Sequence, residues 1–172
     1  MDPKLLFRPI MDAIKFGDCS ALEHVIDANP GSEKIVTAFG SWLHVAAMKG
    51  QVGIARLLLE KYGLDINSVD SIGTTSAYQP ITSAAQRGHA DMVAFLLDRG
   101  AVMDTSTSLR NPLFAAILGQ NIKVAQILLA HGIDPNVCYH SDTMTNMTAL
   151  EFAKEMGAAE FVTLLEPLSH KD

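Results

Sequence analysis

Ser41-Trp42-Leu43-His44-Val45-Ala46-Ala47, closed by Gly50 and followed by Ile54-Ala55-Arg56-Leu57-Leu58-Leu59, is the stretch from which the rest of the chain can be aligned. Taking Trp42 as an anchor, matching positions recur at Pro9, Pro80, Pro112 and Ala149, at intervals of 33, 38, 32 and 37 residues. Four steps past each anchor stands an alanine: Ala13, Ala46, Ala84, Ala116 and Ala153. Eight steps past stand Gly17, Gly50, Gly88, Gln120 and Gly157, and only the fourth unit departs, with Gly119 one place early. Apolar residues return at twelve steps (Ala21, Ile54, Met92, Val124, Phe161) and at sixteen (Val25, Leu58, Leu96, Leu128, Leu165). Self-similarity at such a period is the signature of a repeat architecture.

Each unit reads as two short helices. The first is expected to begin at the anchor, where proline is tolerated because the first turn has unpaired N–H groups. Ser41, Asn111 and Thr148 precede their anchors and can cap those groups. The second helix, such as 54–60 or 124–130, has apolar residues at helical spacing. Gly63, Gly100 and Gly132 close it, with Asn29 in that role in the first unit. Helices of eight or nine residues do not persist alone in water, so neighbouring units must hold them. A row of Leu, Ile and Val shared between stacked units, each side chain worth roughly 1.5–3 kcal/mol on burial, supplies that support.

These residues resemble the ankyrin repeat. The Trp42-Leu43-His44 helix is similar to the family's Thr-Pro-Leu-His helix, and Leu57-Leu58-Leu59 to its Leu-rich second helix. Asp70-Ser71-Ile72-Gly73-Thr74-Thr75 resembles the family's hairpin signature and Gly132-Ile133-Asp134-Pro135-Asn136 its helix exit. The likeness runs from about Pro9 to Glu166. It implies an all-α solenoid of stacked helix-turn-helix units with projecting hairpin loops, and a concave face that binds protein. Residues 1–172 are then one domain, with units starting near 9, 42, 80, 112 and 149. The first and last units read as caps: Asp12 and His24 are polar within the first, and Pro167 stops the last. Departures fall on the fingers: Ser76-Ala77-Tyr78-Gln79 is inserted, residues 137–147 hold four extra, and 105–111 is one short and lacks the hairpin glycine. Insertions on one face mark a binding face in some repeat proteins, and loops also tolerate insertions cheaply.

Composition narrows the partner. Asp plus Glu total 19 against 13 Lys plus Arg, for a formal charge of -6, so a phosphate backbone is repelled on average and a basic protein surface is drawn in. Mean hydropathy is +0.18, yet apolar runs such as 113–118 are far shorter than the roughly 18–20 residues of a membrane span. Only Leu5 to Phe7 separate Asp2 from Arg8 in apolar character, so no signal peptide is expected. Cys19 and Cys138 fit no metal spacing, and a reducing cytoplasm is the simplest setting.

Chemistry finds little purchase. His44 stands where the family has a histidine that braces turns, and the matching slots hold Met11, Thr82, Phe114 and Glu151, so no catalytic or metal row repeats. Cys138-Tyr139-His140 offers two ligands without a second pair nearby, so no metal or cofactor is expected. Neither a Gly-x-Ser-x-Gly elbow nor a phosphate loop ending in Gly-Lys-Ser/Thr occurs. The two slots before the helix-ending glycine hold Lys15-Phe16, Met48-Lys49, Gln86-Arg87, Leu118-Gly119 and Glu155-Met156, which the resemblance places on the concave side. Phe16, Met48, Leu118 and Met156 would form a broken apolar stripe there, or in the terminal units cover core edges. Trp42 either packs under the finger of residues 34–39 or stands as a hot spot beside Met48 and Tyr78. The expected protein-binding set is Phe16, Trp42, Met48, Lys49, Asp70, Tyr78, Gln86, Arg87, Leu118, Tyr139 and Asp142. The function expected is non-catalytic recognition of another protein by a monomer, with no nucleic-acid or membrane partner. A stand-alone inhibitor or neutraliser of a basic enzyme or toxin is the alternative, and a hydrolase or metal enzyme ranks last.

Overall fold

The computed structural model describes residues 3–69, 78–141 and 144–169. Among them lie ten α-helices in five antiparallel pairs. The pairs are α1 (Pro3–Phe16) with α2 (Cys19–Ala28), α3 (Trp42–Lys49) with α4 (Val52–Glu60), α5 (Pro80–Gln86) with α6 (Ala90–Asp98), α7 (Pro112–Leu118) with α8 (Ile122–Ala130), and α9 (Ala149–Glu155) with α10 (Ala159–Leu165). The odd-numbered helices pack side by side in one row, and α2, α4, α6 and α8 in a second. The protein is an all-α solenoid. Its small sheet is a hairpin of β1 (Tyr139–Ser141) and β2 (Met144–Met147), which occupies the lengthened last finger.

The caps form as the residue types dictate. The Asn111 side chain accepts from the Leu113 N–H at 2.8 Å, and the Thr148 hydroxyl accepts from Glu151 N–H at 3.3 Å. The alanines four steps past each anchor are buried in every unit, which lets paired helices approach closely. Ile54, Leu58, Met92, Leu96, Val124, Leu128, Phe161 and Leu165 join them in one continuous core.

Three local expectations are corrected, while Asn29 closes α2 as expected. The first helix begins at Pro3 rather than at Pro9, which lies inside it; the added turns bury Leu6 and set Phe7 against the Trp42 ring at 5.8 Å. The second helices begin two residues before the expected bounds, at Val52 and Ile122, which are only partly buried. In α2 the buried residues are Leu22 and Ile26, while Ala21 and Val25 are only partly covered. No preceding pair packs on α2 among the described residues, so its buried face turns toward α1 and α4. Asn29 caps that helix with its side-chain amide, donating to the Val25 carbonyl at 2.9 Å, and Gly31 takes the left-handed conformation instead.

The eight-step position carries a second constraint beyond its turn. It has positive φ in all five units, 69° at Gly17, 68° at Gly50, 76° at Gly88, 55° at Gln120 and 64° at Gly157. The next unit also reaches across it. Gln51, His89 and Asn121, the N-caps of α4, α6 and α8, lie where a Cβ on Gly17, Gly50 and Gly88 would be. The fourth unit differs because its follower, Ala158, has no long side chain, so Gln120 fits at some cost in backbone strain. Gly119 stays glycine because a Cβ there would strike the Gln86 carbonyl.

Two substitutions separate these constraints. Gly157→Ala meets only the left-handed strain, since nothing lies within 4 Å of its Cβ position, and is expected to cost about 1 kcal/mol. Gly88→Ala adds displacement of Asn121, and is expected to cost about 1–3 kcal/mol more by urea denaturation. Equal costs would remove the close approach as a cause.

Candidate functional site

The odd-numbered helices and the fingers carry the described residues of the expected set. Four inter-unit braces fix its shape. His44 is buried, and its Nδ1 faces both the Ser41 N–H at 3.2 Å and the Ser41 hydroxyl. Accepting there leaves Nε2–H to donate to the Tyr78 carbonyl at 2.9 Å. Thr82, in the same slot one unit on, donates its hydroxyl to the Arg110 carbonyl at 2.9 Å. In the fourth unit the slot holds Phe114, stacked on Phe152 at 4.9 Å and meeting Tyr139 edge-on at 5.1 Å. Tyr139 completes the set by donating to the Thr105 carbonyl at 2.8 Å and accepting from the Asn111 amide at 2.9 Å. Burial pushes the Tyr139 phenol above its ordinary pKa, and nearby Asp104 adds to the shift, so the hydroxyl keeps its proton and its bond at neutral pH.

These braces hold an apolar groove open. Its walls are Tyr78 and Leu109 from two fingers, Gln86 from α5, Ala115 and Leu118 from α7, and Phe152 from α9. Leu109 and Leu118 are 50% and 49% exposed, large apolar side chains left facing solvent. The structure thus brings together Tyr78, Gln86 and Leu118 from the expected set. Lys49 and Arg87 are exposed at the ends of α3 and α5, and Met48 is half-buried. Phe16 stands apart at 73% exposure, with the Lys15 ammonium 5.2 Å over its ring. The expected stripe is therefore interrupted by Lys49 and Arg87, and its apolar part is concentrated on α7 and α9.

Two members of the expected set do not offer a binding surface. Trp42 is fully buried, and its indole N–H donates to the Ser32 carbonyl at 2.9 Å. It packs against Phe7 and the turn at Ser32, as a core residue and not as an exposed hot spot. Tyr139 is half-buried, its hydroxyl occupied by Thr105 and Asn111 and its ring by Phe114, so it supports the last finger. Asp70 and Asp142 lie outside the described residues, as does the hairpin signature of residues 70–75.

Leu109, Ala115 and Phe152 were absent from the expected set. Ala115 and Phe152 stand three steps past their anchors, on the helical face shared with slots six and seven, a relation the repeat frame contained. Leu109 was signalled only as an apolar residue among the hydroxyls of 105–108. Elsewhere, among the described residues, no group of three or more His, Cys, Asp or Glu side chains is placed to hold a metal. The Cys138 sulfur lies 3.7 Å from His140 Nε2. No described helix is long and apolar enough to cross a membrane.

Comparison with known proteins agrees with this geometry. The family model for ankyrin repeats, three copies, matches residues 10–107 and 43–139. The chain belongs to the ankyrin repeat family. It is 33% identical over 109 residues to "Zygote-specific protein 3" of Chlamydomonas reinhardtii, covering 63% of this chain and 26% of that protein. It is 31% identical over 113 residues to "Ankyrin repeat and SAM domain-containing protein 6" of Rattus norvegicus, covering 59% of this chain and 12% of that one. Over 59 residues it is 42% identical to "26S proteasome non-ATPase regulatory subunit 10" of Dictyostelium discoideum, covering 34% and 24%. The chain thus spans about a quarter or less of the length of these relatives.

Tyr139→Phe removes the hydroxyl and leaves the buried Asn111 amide short of a partner. It is expected to lower stability by about 1–3 kcal/mol in urea unfolding. An unchanged midpoint would show that the finger does not depend on this brace.

Proposed function

We propose that the protein is a non-catalytic binding module that holds another polypeptide against the groove between the fingers and α5, α7 and α9. Ankyrin repeats generally mediate protein–protein interaction and are typically non-catalytic. The observation that carries the reading for this chain is the apolar groove itself, with Leu109 and Leu118 half-exposed over Phe152. Large apolar side chains in a preformed concavity bind without much ordering cost, because the braces have already fixed the walls.

On this reading the module works by occluding or bridging its partner, in a reducing compartment where Cys19 and Cys138 stay free. The formal charge of -6 steers it toward a partner of positive net charge. That total does not describe the groove. The second-row helices carry Glu23, Asp27, Glu60, Asp91 and Asp98, and part of this charge is already matched: Lys61 sits 2.6 Å from both Glu23 and Asp27, and Arg99 2.6 Å from Glu60.

A photo-activated benzoylphenylalanine at position 118 or 87 tests the proposal against one at Gln126, exposed on α8. Cross-links to other polypeptides in cells are expected at 118 and 87 and not at 126. Equal yields at all three, or yield at 126 alone, would move binding off the groove.

A further inference from the structure

At the ends of their first helices the first three units each carry a positive charge. Lys15, Lys49 and Arg87 occupy corresponding ends of α1, α3 and α5, and all are exposed. Among the described residues, none of the three lies within ion-pair distance of a carboxylate. The only acid within these three helices is Asp12, which Arg8 approaches at 3.8 Å. The fourth unit contributes the apolar Leu118 in the same slots, and in the fifth Glu155 reverses the sign. The face therefore runs from basic through apolar to acidic, within a protein that is acidic as a whole.

We propose that the groove's ligand is an extended peptide whose carboxylates meet Lys49 and Arg87 and whose apolar anchor enters beside Leu118. This rests on the groove reading above and adds the ligand's chemistry and spacing. Neighbouring helix axes lie about 8–10 Å apart, and an extended chain advances about 3.3–3.6 Å per residue, so one unit corresponds to about three ligand residues. An acid opposite Arg87 then falls about three residues from the anchor, and one opposite Lys49 about six. A uniformly anionic ligand such as RNA matches the basic end but meets Glu155 at the other and has no aliphatic anchor for Leu118.

The test uses fluorescein-labelled twelve-residue peptides carrying two glutamates and a Leu-Leu pair in either order, at separations of zero to eight residues, in a Gly-Ser background. Anisotropy with the whole chain is expected to show tightest binding at separations of three to six, weakening as salt rises. Lysine in place of the glutamates is expected to weaken it about three- to tenfold. The double variant Lys49→Glu, Arg87→Glu is expected to invert that preference, and both positions are exposed enough to leave folding intact. Leu118→Ser is expected to weaken every binding peptide by about tenfold. Tighter binding of the lysine peptides, with Leu118 still required, overturns the charge assignment and leaves the groove standing. Binding indifferent to Leu118→Ser as well overturns both. Oligouridylate bound above every peptide, or no peptide bound at millimolar concentration, overturns the proposal.

Discussion

Short helices end in carbonyls that have no partner within the helix, and this chain answers that need from the next unit. The Gln51 amide donates to the Lys15 carbonyl at 3.2 Å, His89 Nε2 to Met48 at 3.0 Å, and the Asn121 amide to Ala85 and Gln86 at 3.2 and 3.1 Å. Each donor is also the cap of its own second helix. One residue thus stands at the start of a helix while its side chain finishes the previous unit's helix and bridges the two. The glycine beneath it follows, since any Cβ would occupy the donor's path. Stability lodged between neighbours is the energetic form of a repeat protein, and here it is carried by polar clamps as well as by the Leu and Ile rows.

The second row adds a different kind of fastening. Lys61 spans Glu23 and Asp27, Tyr62 donates to Asp27 at 2.9 Å, and the guanidinium groups of Arg56 and Arg99 each lie 5.0 Å from the Phe95 ring. Hydrogen bonds from Lys61 and then Tyr62 hold the Asp27 carboxyl below its ordinary pKa, and a bond from Arg99 does the same for Glu60. A depressed folded-state pKa means that the contribution is present at neutral pH and fades as pH falls through the carboxylate range. These groups are solvent-exposed, so screening keeps each contribution small. They tie successive units in register on the side of the second-row helices, away from Lys49 and Arg87.

The period of alanine, glycine and leucine made the helix pairs legible because packing acts on every unit alike. What it did not reveal came from the places where units differ. The extra turns of α1 depend on Phe7 finding Trp42, a contact between residues 35 apart that no local pattern encodes. The shifted burial of Leu22 and Ile26 reflects what packs on α2. Of the site, Leu118 and Gln86 were legible from their slots, whereas Leu109 reaches the groove only because the short 105–111 connection folds back through the Arg110 and Asn111 N–H bonds to the Thr107 carbonyl. The role of Tyr139 was hidden for the same reason, since its partners are 28 and 34 residues away.

Variation between units therefore has a direction. The clamps on one side fix helix spacing and admit little change, while the slot held by His44, Thr82 and Phe114 can change chemistry as long as it still fastens the following finger. Each solution places that finger differently: a ring nitrogen on a carbonyl, a hydroxyl on a carbonyl, an aromatic face under a phenol. Where the fastening becomes aromatic, at Phe114, Phe152 and Tyr139, the groove acquires its apolar floor as a consequence of how the last finger is held. Phe114 and Phe152 thus serve both the fastening of the last finger and the lining of the groove, while Tyr139 serves the fastening alone.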